Sequence, residues 1–132
     1  MYKKIVNSKI GNIVIVEKNQ SIIELKVIKE KNIDIIESDT PLLKKASEQI
    51  NEYFSGKRET FDLPLNPEGT EFMKKVWKQL LNIPYGETKT YKQIATEIGN
   101  EKAARAVGMA NNKNPIPIII PCHRVIGSNK KL

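Results

Sequence analysis

Apolar and polar positions alternate through the first thirty residues, as in Gly11-Asn12-Ile13-Val14-Ile15-Val16-Glu17 and Ser21-Ile22-Ile23-Glu24-Leu25-Lys26-Val27-Ile28, with a break at Asn19-Gln20. A period near two, dense β-branched residues and turn-forming breaks predict a small antiparallel sheet. The opening Met1-Tyr2-Lys3-Lys4-Ile5-Val6 alternates in the same way.

The period then lengthens. Leu42, Leu43, Ala46, Ile50, Tyr53 and Phe54 fall on one helical stripe, with Asp39 or Thr40 as cap, Pro41 at the first position and Ser55-Gly56 at the end. Residues Arg58 to Gly69 contain Pro64, Pro67 and Gly69, and read as an extended connection and a domain boundary.

Beyond Gly69 the chain reads as helical throughout. Thr70 to Asn82 places Phe72, Val76, Trp77, Leu80 and Leu81 on one face and stops at Ile83-Pro84-Tyr85-Gly86. Two short helices follow, Thr90 to Ile98 and Lys102 to Asn111, joined across Gly99-Asn100. That is the helix-turn-helix pattern, although on pattern alone ordinary helical packing is the commoner source of such a pair. The expected class is therefore α+β, with an α/β domain over 1–66 and a helical domain over 67–132.

At 39% hydrophobic and 28% charged, 132 residues suffice to bury a core. No run approaches the roughly 20 apolar residues of a membrane-spanning helix, and the first residues lack the apolar stretch of a signal peptide. A cytoplasmic protein without a membrane partner is expected. One cysteine and one histidine exclude an intrachain disulfide and a four-ligand Cys/His zinc site, so no metal is expected.

Charge divides unevenly. Residues 1–66 hold 11 basic and 10 acidic side chains, residues 67–132 hold 11 and 5, so six of the seven net positive charges lie in the second half. A basic half suits a polyanion, whose condensed counterions are released when Lys and Arg neutralise phosphates; solubility alone would also account for it.

Asn114-Pro115-Ile116-Pro117-Ile118-Ile119-Ile120-Pro121-Cys122-His123-Arg124-Val125 is the segment with chemistry in it. Its prolines exclude a helix and predict an extended chain that delivers Cys122 to a fixed place. A thiol with the ordinary pKa near 8.5 is mostly protonated at neutral pH, and a nucleophilic cysteine needs a base or positive potential beside it. His123 and Arg124 adjoin it. In an extended chain neighbouring side chains point to opposite faces, so His123 would act through a water or a turn. A lone cysteine is otherwise a small buried hydrophobe.

Pro121-Cys122-His123-Arg124-Val125 resembles the active-site signature of the O6-alkylguanine-DNA alkyltransferases. So, in the same order, do Val76-Trp77, Ile83 to Thr88, Tyr91 to Ala95, Ala103 to Gly108 and Asn114 to Pro117. The resemblance covers roughly residues 70–129; residues 1–66 match only in general character. It implies a ribonuclease-H-like α/β domain followed by a winged helix-turn-helix-like DNA-binding domain.

The resemblance also implies the chemistry. Cys122 accepts the alkyl group of O6-alkylguanine, or of O4-alkylthymine, and each molecule acts once because a thioether does not hydrolyse. No cofactor is required, since the lesion is the donor. His123 takes the thiol proton through a water. Arg105 fills the gap left by a flipped nucleotide, while Ala104, Ala106 and Gly108 let the recognition helix approach a narrow minor groove.

By the same resemblance, Tyr91 helps rotate the target phosphate and contacts the flipped base, and Asn114 links the recognition helix to the site. Pro117 lines the pocket and the Val125 backbone accepts from the guanine amino group. Ordinary structural roles are open to each: Arg105 as a solvated charge, Tyr91 as core, Pro117 as a rigidifier, His123 as an incidental surface residue.

The partner implied is double-stranded DNA carrying O6-alkylguanine, bound by a monomer. Family members continue past Lys131-Leu132 with a glycine-containing loop and a helix whose glutamate bonds the catalytic histidine. Asn112 stands where relatives often have a basic DNA contact. Two other readings fit parts of the pattern. An alkyltransferase-like protein, or an inactive truncated form, would bind the lesion without transfer, but alkyltransferase-like proteins replace the cysteine that is present here. A sequence-specific regulator would need base-reading polar side chains, whereas Ala103 to Ala110 is mostly alanine and glycine.

Overall fold

The computed structural model describes residues 1–30 and 32–127, so the end of the expected second domain, 128–132, lies outside the described residues. The chain divides into two units, Met1–Pro67 and Glu68–Leu132.

In the first unit, β1 (Tyr2–Ser8), β2 (Gly11–Lys18) and β3 (Ser21–Ile28) form an antiparallel sheet in that order. Lys18 pairs with Ser21, and Asn19 and Gln20 between them both take positive φ, 51° and 63°. Two left-handed residues give the hairpin a turn whose twist matches that of the strands. Being central, β2 is buried from Ile13 through Glu17.

α1 (Pro41–Phe54) starts at Thr40, whose hydroxyl accepts from the Leu43 N–H and donates to the buried Glu17 carboxylate. One side chain thus caps the helix and satisfies the only strongly buried acid among the described residues. Leu43, Ala46 and Ile50 carry the buried stripe. The Gln49 amide bonds Asp62 both ways, donating to its carbonyl and accepting from its N–H. The connection after α1 is further fixed by Leu65, which bridges to Ile22 at the edge of β3.

In the second unit, α2 (Glu71–Leu80) is followed by β4 (Lys89–Thr90), α3 (Tyr91–Glu97), α4 (Ala104–Asn112), a 3-10 turn at Cys122–Arg124 and β5 (Val125–Ile126). Trp77 is 1% exposed and donates its indole N–H to the Ala110 carbonyl at 2.9 Å, tying α2 to α4. Gly69 makes this packing possible, since a Cβ there would lie 2.5 Å from the indole ring. Leu81 is not on the buried face as expected; it caps α2 and is 46% exposed.

α3 is capped at Ile98, with Gly99 at φ 85° and the N–H groups of Gly99 and Asn100 returning to Thr96 and Ala95. This Schellman closure needs a left-handed residue and lets the chain turn sharply into α4.

The expectation of helix throughout this half fails at β4 and β5. These two-residue strands pair in parallel, Lys89 with Val125 and Thr90 with Ile126. Among the described residues no helix is long and apolar enough to cross a membrane.

Candidate active site around Cys122

The segment 114–121 is not extended. Ile120 N–H donates to the Ile116 carbonyl at 2.9 Å and Ile118 takes φ 75°, so the chain folds into a turn with a β-branched residue in the left-handed region. Such a conformation costs about 1–3 kcal/mol and persists only where the surroundings impose it. Ile116, Ile119 and Ile120 are buried on either side. The prolines at 115, 117 and 121 supply no N–H, and a side chain compensates: Asn114 Nδ2 donates to the Ile120 carbonyl at 2.8 Å and its Oδ1 accepts from the Ile116 N–H at 2.9 Å.

Cys122, His123 and Arg124 then form the 3-10 turn, in which Arg124 N–H donates to the Pro121 carbonyl and Val125 N–H to that of Cys122. The opposite-face reasoning for Cys122 and His123 therefore does not apply, because they share a turn and not a strand. Cys122 is a free, half-buried thiol.

His123 is exposed. Partial desolvation of the ring, and secondly the Arg124 charge, hold its pKa below the usual 6.5. Both causes favour the neutral ring, the form that can accept a proton. The Arg124 guanidinium donates to the Ile83 carbonyl at 2.7 Å and sits 5.6 Å over the Tyr85 ring. It clamps the turn to the segment after α2.

Pairing of β4 with β5 brings the start of α3 beside this turn. Thr90 ends β4, caps α3 through a reciprocal capping box with Gln93, and immediately precedes Tyr91. Tyr91 is half-buried; a Cβ on Gly108 would lie 3.8 Å from its ring, an ordinary contact. Gly108 is therefore not needed for clearance within this unit.

On α4, Arg105 and Ala106 are exposed and Ala104 and Gly108 half-buried. The helix begins at Ala103 without a side-chain cap and without an acid in its first turn, so its positive dipole end is unopposed. Pro117 is half-buried, and Val125, 3% exposed, is buried next to the turn, its N–H bonded to the Cys122 carbonyl.

The structure thus draws Tyr91, Asn114, Cys122, His123 and Val125 around one turn, and sets Arg105 on the exposed face of α4, whose Gly108 lies against Tyr91. Sequence reasoning missed Asn111, which donates from Nδ2 to the Cys122 carbonyl at 3.3 Å. A polar residue at a buried position of α4 was its only signal. Among the described residues no group of three or more His, Cys, Asp or Glu side chains is placed to hold a metal ion.

Two family models cover the chain: the ribonuclease-like domain of 6-O-methylguanine DNA methyltransferase matches residues 1–67, and the DNA binding domain of the same protein matches residues 71–132. A methylated-DNA–protein-cysteine methyltransferase of Methanosarcina barkeri is 52% identical over all of this chain and 86% of its own length. The constitutive enzyme of Bacillus subtilis is 45% identical over 93% of this chain and 79% of its own. The crystal structure of Mycobacterium tuberculosis O6-methylguanine methyltransferase superposes with a TM-score of 0.88 at 41% identity, covering 99% of this chain and 81% of that one. The same mycobacterial protein has also been solved in complex with DNA. The chain belongs to the 6-O-methylguanine DNA methyltransferase family.

Proposed function

We propose that this protein repairs alkylated DNA by transferring the alkyl group from O6 of guanine to Cys122, once per molecule. The observation that carries this reading is a free, half-buried thiol that shares a turn with His123, the turn being held by the Asn111 and Asn114 amides, the Arg124–Ile83 bond and the pairing of β4 with β5. His123 takes the thiol proton through a water, and the thiolate attacks the alkyl carbon. The new S–C bond forms as the C–O6 bond breaks, and the electron pair leaves on O6 of guanine.

Arg105 is the side chain proposed to occupy the space of the flipped nucleotide, since it projects from α4 among small residues. Tyr91, Asn114, Pro117 and the Val125 backbone form the proposed base pocket. The protein acts as a monomer in the cytoplasm, where a lone thiol stays reduced.

The test is intact-protein mass after incubation with a duplex carrying one O6-methylguanine, followed by peptide mapping. A gain of about 14 Da, one methylene, on Cys122 is expected. Cys122→Ser should gain nothing yet still bind the duplex. Transfer by that variant, or a modification mapping elsewhere, refutes the acceptor assignment.

A further inference from the structure

Asn111 is 6% exposed, on the last turn of α4. Its Nδ2 donates to the Cys122 carbonyl at 3.3 Å. This contact fixes the orientation of the amide, because turning it over would set two carbonyl oxygens against each other. Oδ1 is then left buried with no hydrogen-bond partner among the described residues.

A half-satisfied amide is an expensive way to fill a buried position. A leucine of similar size would desolvate nothing. Packing therefore does not account for asparagine here, and what remains is its one bond. That bond lands on the carbonyl that already accepts the Val125 N–H closing the 3-10 turn. It holds the peptide of the nucleophile itself.

Asn111 also follows Ala110, whose carbonyl is held by the Trp77 indole. The end of α4 is thereby anchored to α2 on one side and to the thiol-bearing turn on the other.

We propose that Asn111 is a positioning residue for Cys122, locking the turn so that the thiol faces the reacting carbon. Resting as it does on the transfer reading above, the proposal gives Asn114 and Asn111 different tasks. Asn114 shapes the segment before the cysteine, whereas Asn111 fixes the cysteine peptide.

The experiment compares the full-length protein with Asn111→Leu and Asn111→Asp. The first removes the donor and fills the space; the second keeps the shape and replaces the donor by an acceptor. Transfer is measured under single turnover with an O6-methylguanine duplex and with free O6-methylguanine base, alongside thermal unfolding. At saturating duplex both variants should be slower by about tenfold or more, with the half-saturating concentration changed less than about twofold.

The free base should lose the same factor, since the defect lies at the acceptor. A loss confined to the duplex would make Asn111 a DNA-docking residue of α4, and a rate that follows unfolding would make it structural. Either overturns the proposal, as does a normal rate in the leucine variant.

Iodoacetamide provides a measure that needs no transfer. Because Cys122 is the only cysteine in the sequence, its alkylation is read directly, and it should change by about threefold or more in Asn111→Leu under native conditions. Unchanged alkylation overturns the positioning role even if the wild-type chain transfers nothing. Absence of wild-type transfer would refute the proposed function instead.

Discussion

The two units are nearly equal in length and differ in what their buried polar groups do. In the first, Glu17 with Thr40 and Gln49 with Asp62 join a strand to a helix cap and a helix to a following loop. These bonds close a scaffold and point at no common atom. In the second, Asn111 and Asn114 bond the carbonyls of Cys122 and Ile120, so side-chain amides are spent on the few residues around one thiol. The only β-branched residue at positive φ among the described residues, Ile118, lies in the same stretch. The excess of positive charge also falls in this half. Buried polarity thus stabilises the architecture of the first unit and the placement of a nucleophile in the second.

Short of removing the thiol itself, the largest expected effect is at His123. If the second unit is built around an activated thiol, His123→Gln slows single-turnover transfer by about 10²-fold or more. The pH profile sharpens the point. A general base fails as it becomes protonated, and the pKa of His123 is lowered from 6.5, so the acid limb of the wild-type profile should have its midpoint below 6.5. A variant with wild-type rate, or a limb centred above that value, would detach the histidine from the chemistry.

A smaller effect separates DNA handling from chemistry inside the same unit. Arg105→Ala should reduce transfer about tenfold from a paired lesion and less from a single-stranded one, because unpairing is what the arginine assists. Equal losses on both substrates would contradict that role. Arg58, the half-buried arginine of the first unit that bonds Glu52 and the Thr60 carbonyl, should not behave this way and serves as the control.

What was legible in the sequence follows the same division. The sheet, α1, α2 and the α3–α4 pair all carry a local period or cap signal, and Thr40, Gly99 and Thr90 stand where the chemistry of caps and turns requires them. The candidate site entered as a list of residues, named by the resemblance over 70–129, with Asn111 absent from it.

Its geometry was not legible in the sequence. β4 and β5 are two residues each and pair across 36 positions of sequence, too short for any period and too distant for any turn signal. The prolines before Cys122 correctly excluded a helix, yet they suggested an extended chain. Nothing local announces that Asn114 folds the segment back through two bonds, or that Ile118 accepts a left-handed conformation. Asn111 escaped notice for the same reason: its value lies in one contact with a residue eleven positions away.

The smallest predicted effect tests whether the strain at Ile118 is real. Ile118 and Ile23 are both half-buried isoleucines, one in the turn before the nucleophile and the other in β3. Replacement by glycine removes a similar side chain from each and adds about 0.5–1 kcal/mol of backbone entropy to each. At Ile23 nothing offsets this loss. At Ile118 the change also relieves a conformation that costs about 1–3 kcal/mol, so Ile118→Gly should destabilise by about 1 kcal/mol less than Ile23→Gly, or more favourably still. Chemical denaturation of the two variants measures the difference, and an equal or larger cost at Ile118 would mean that the left-handed residue stores no strain. If the strain is present, relieving it should also loosen the segment that delivers Cys122, so the variant that loses less stability should lose more transfer rate.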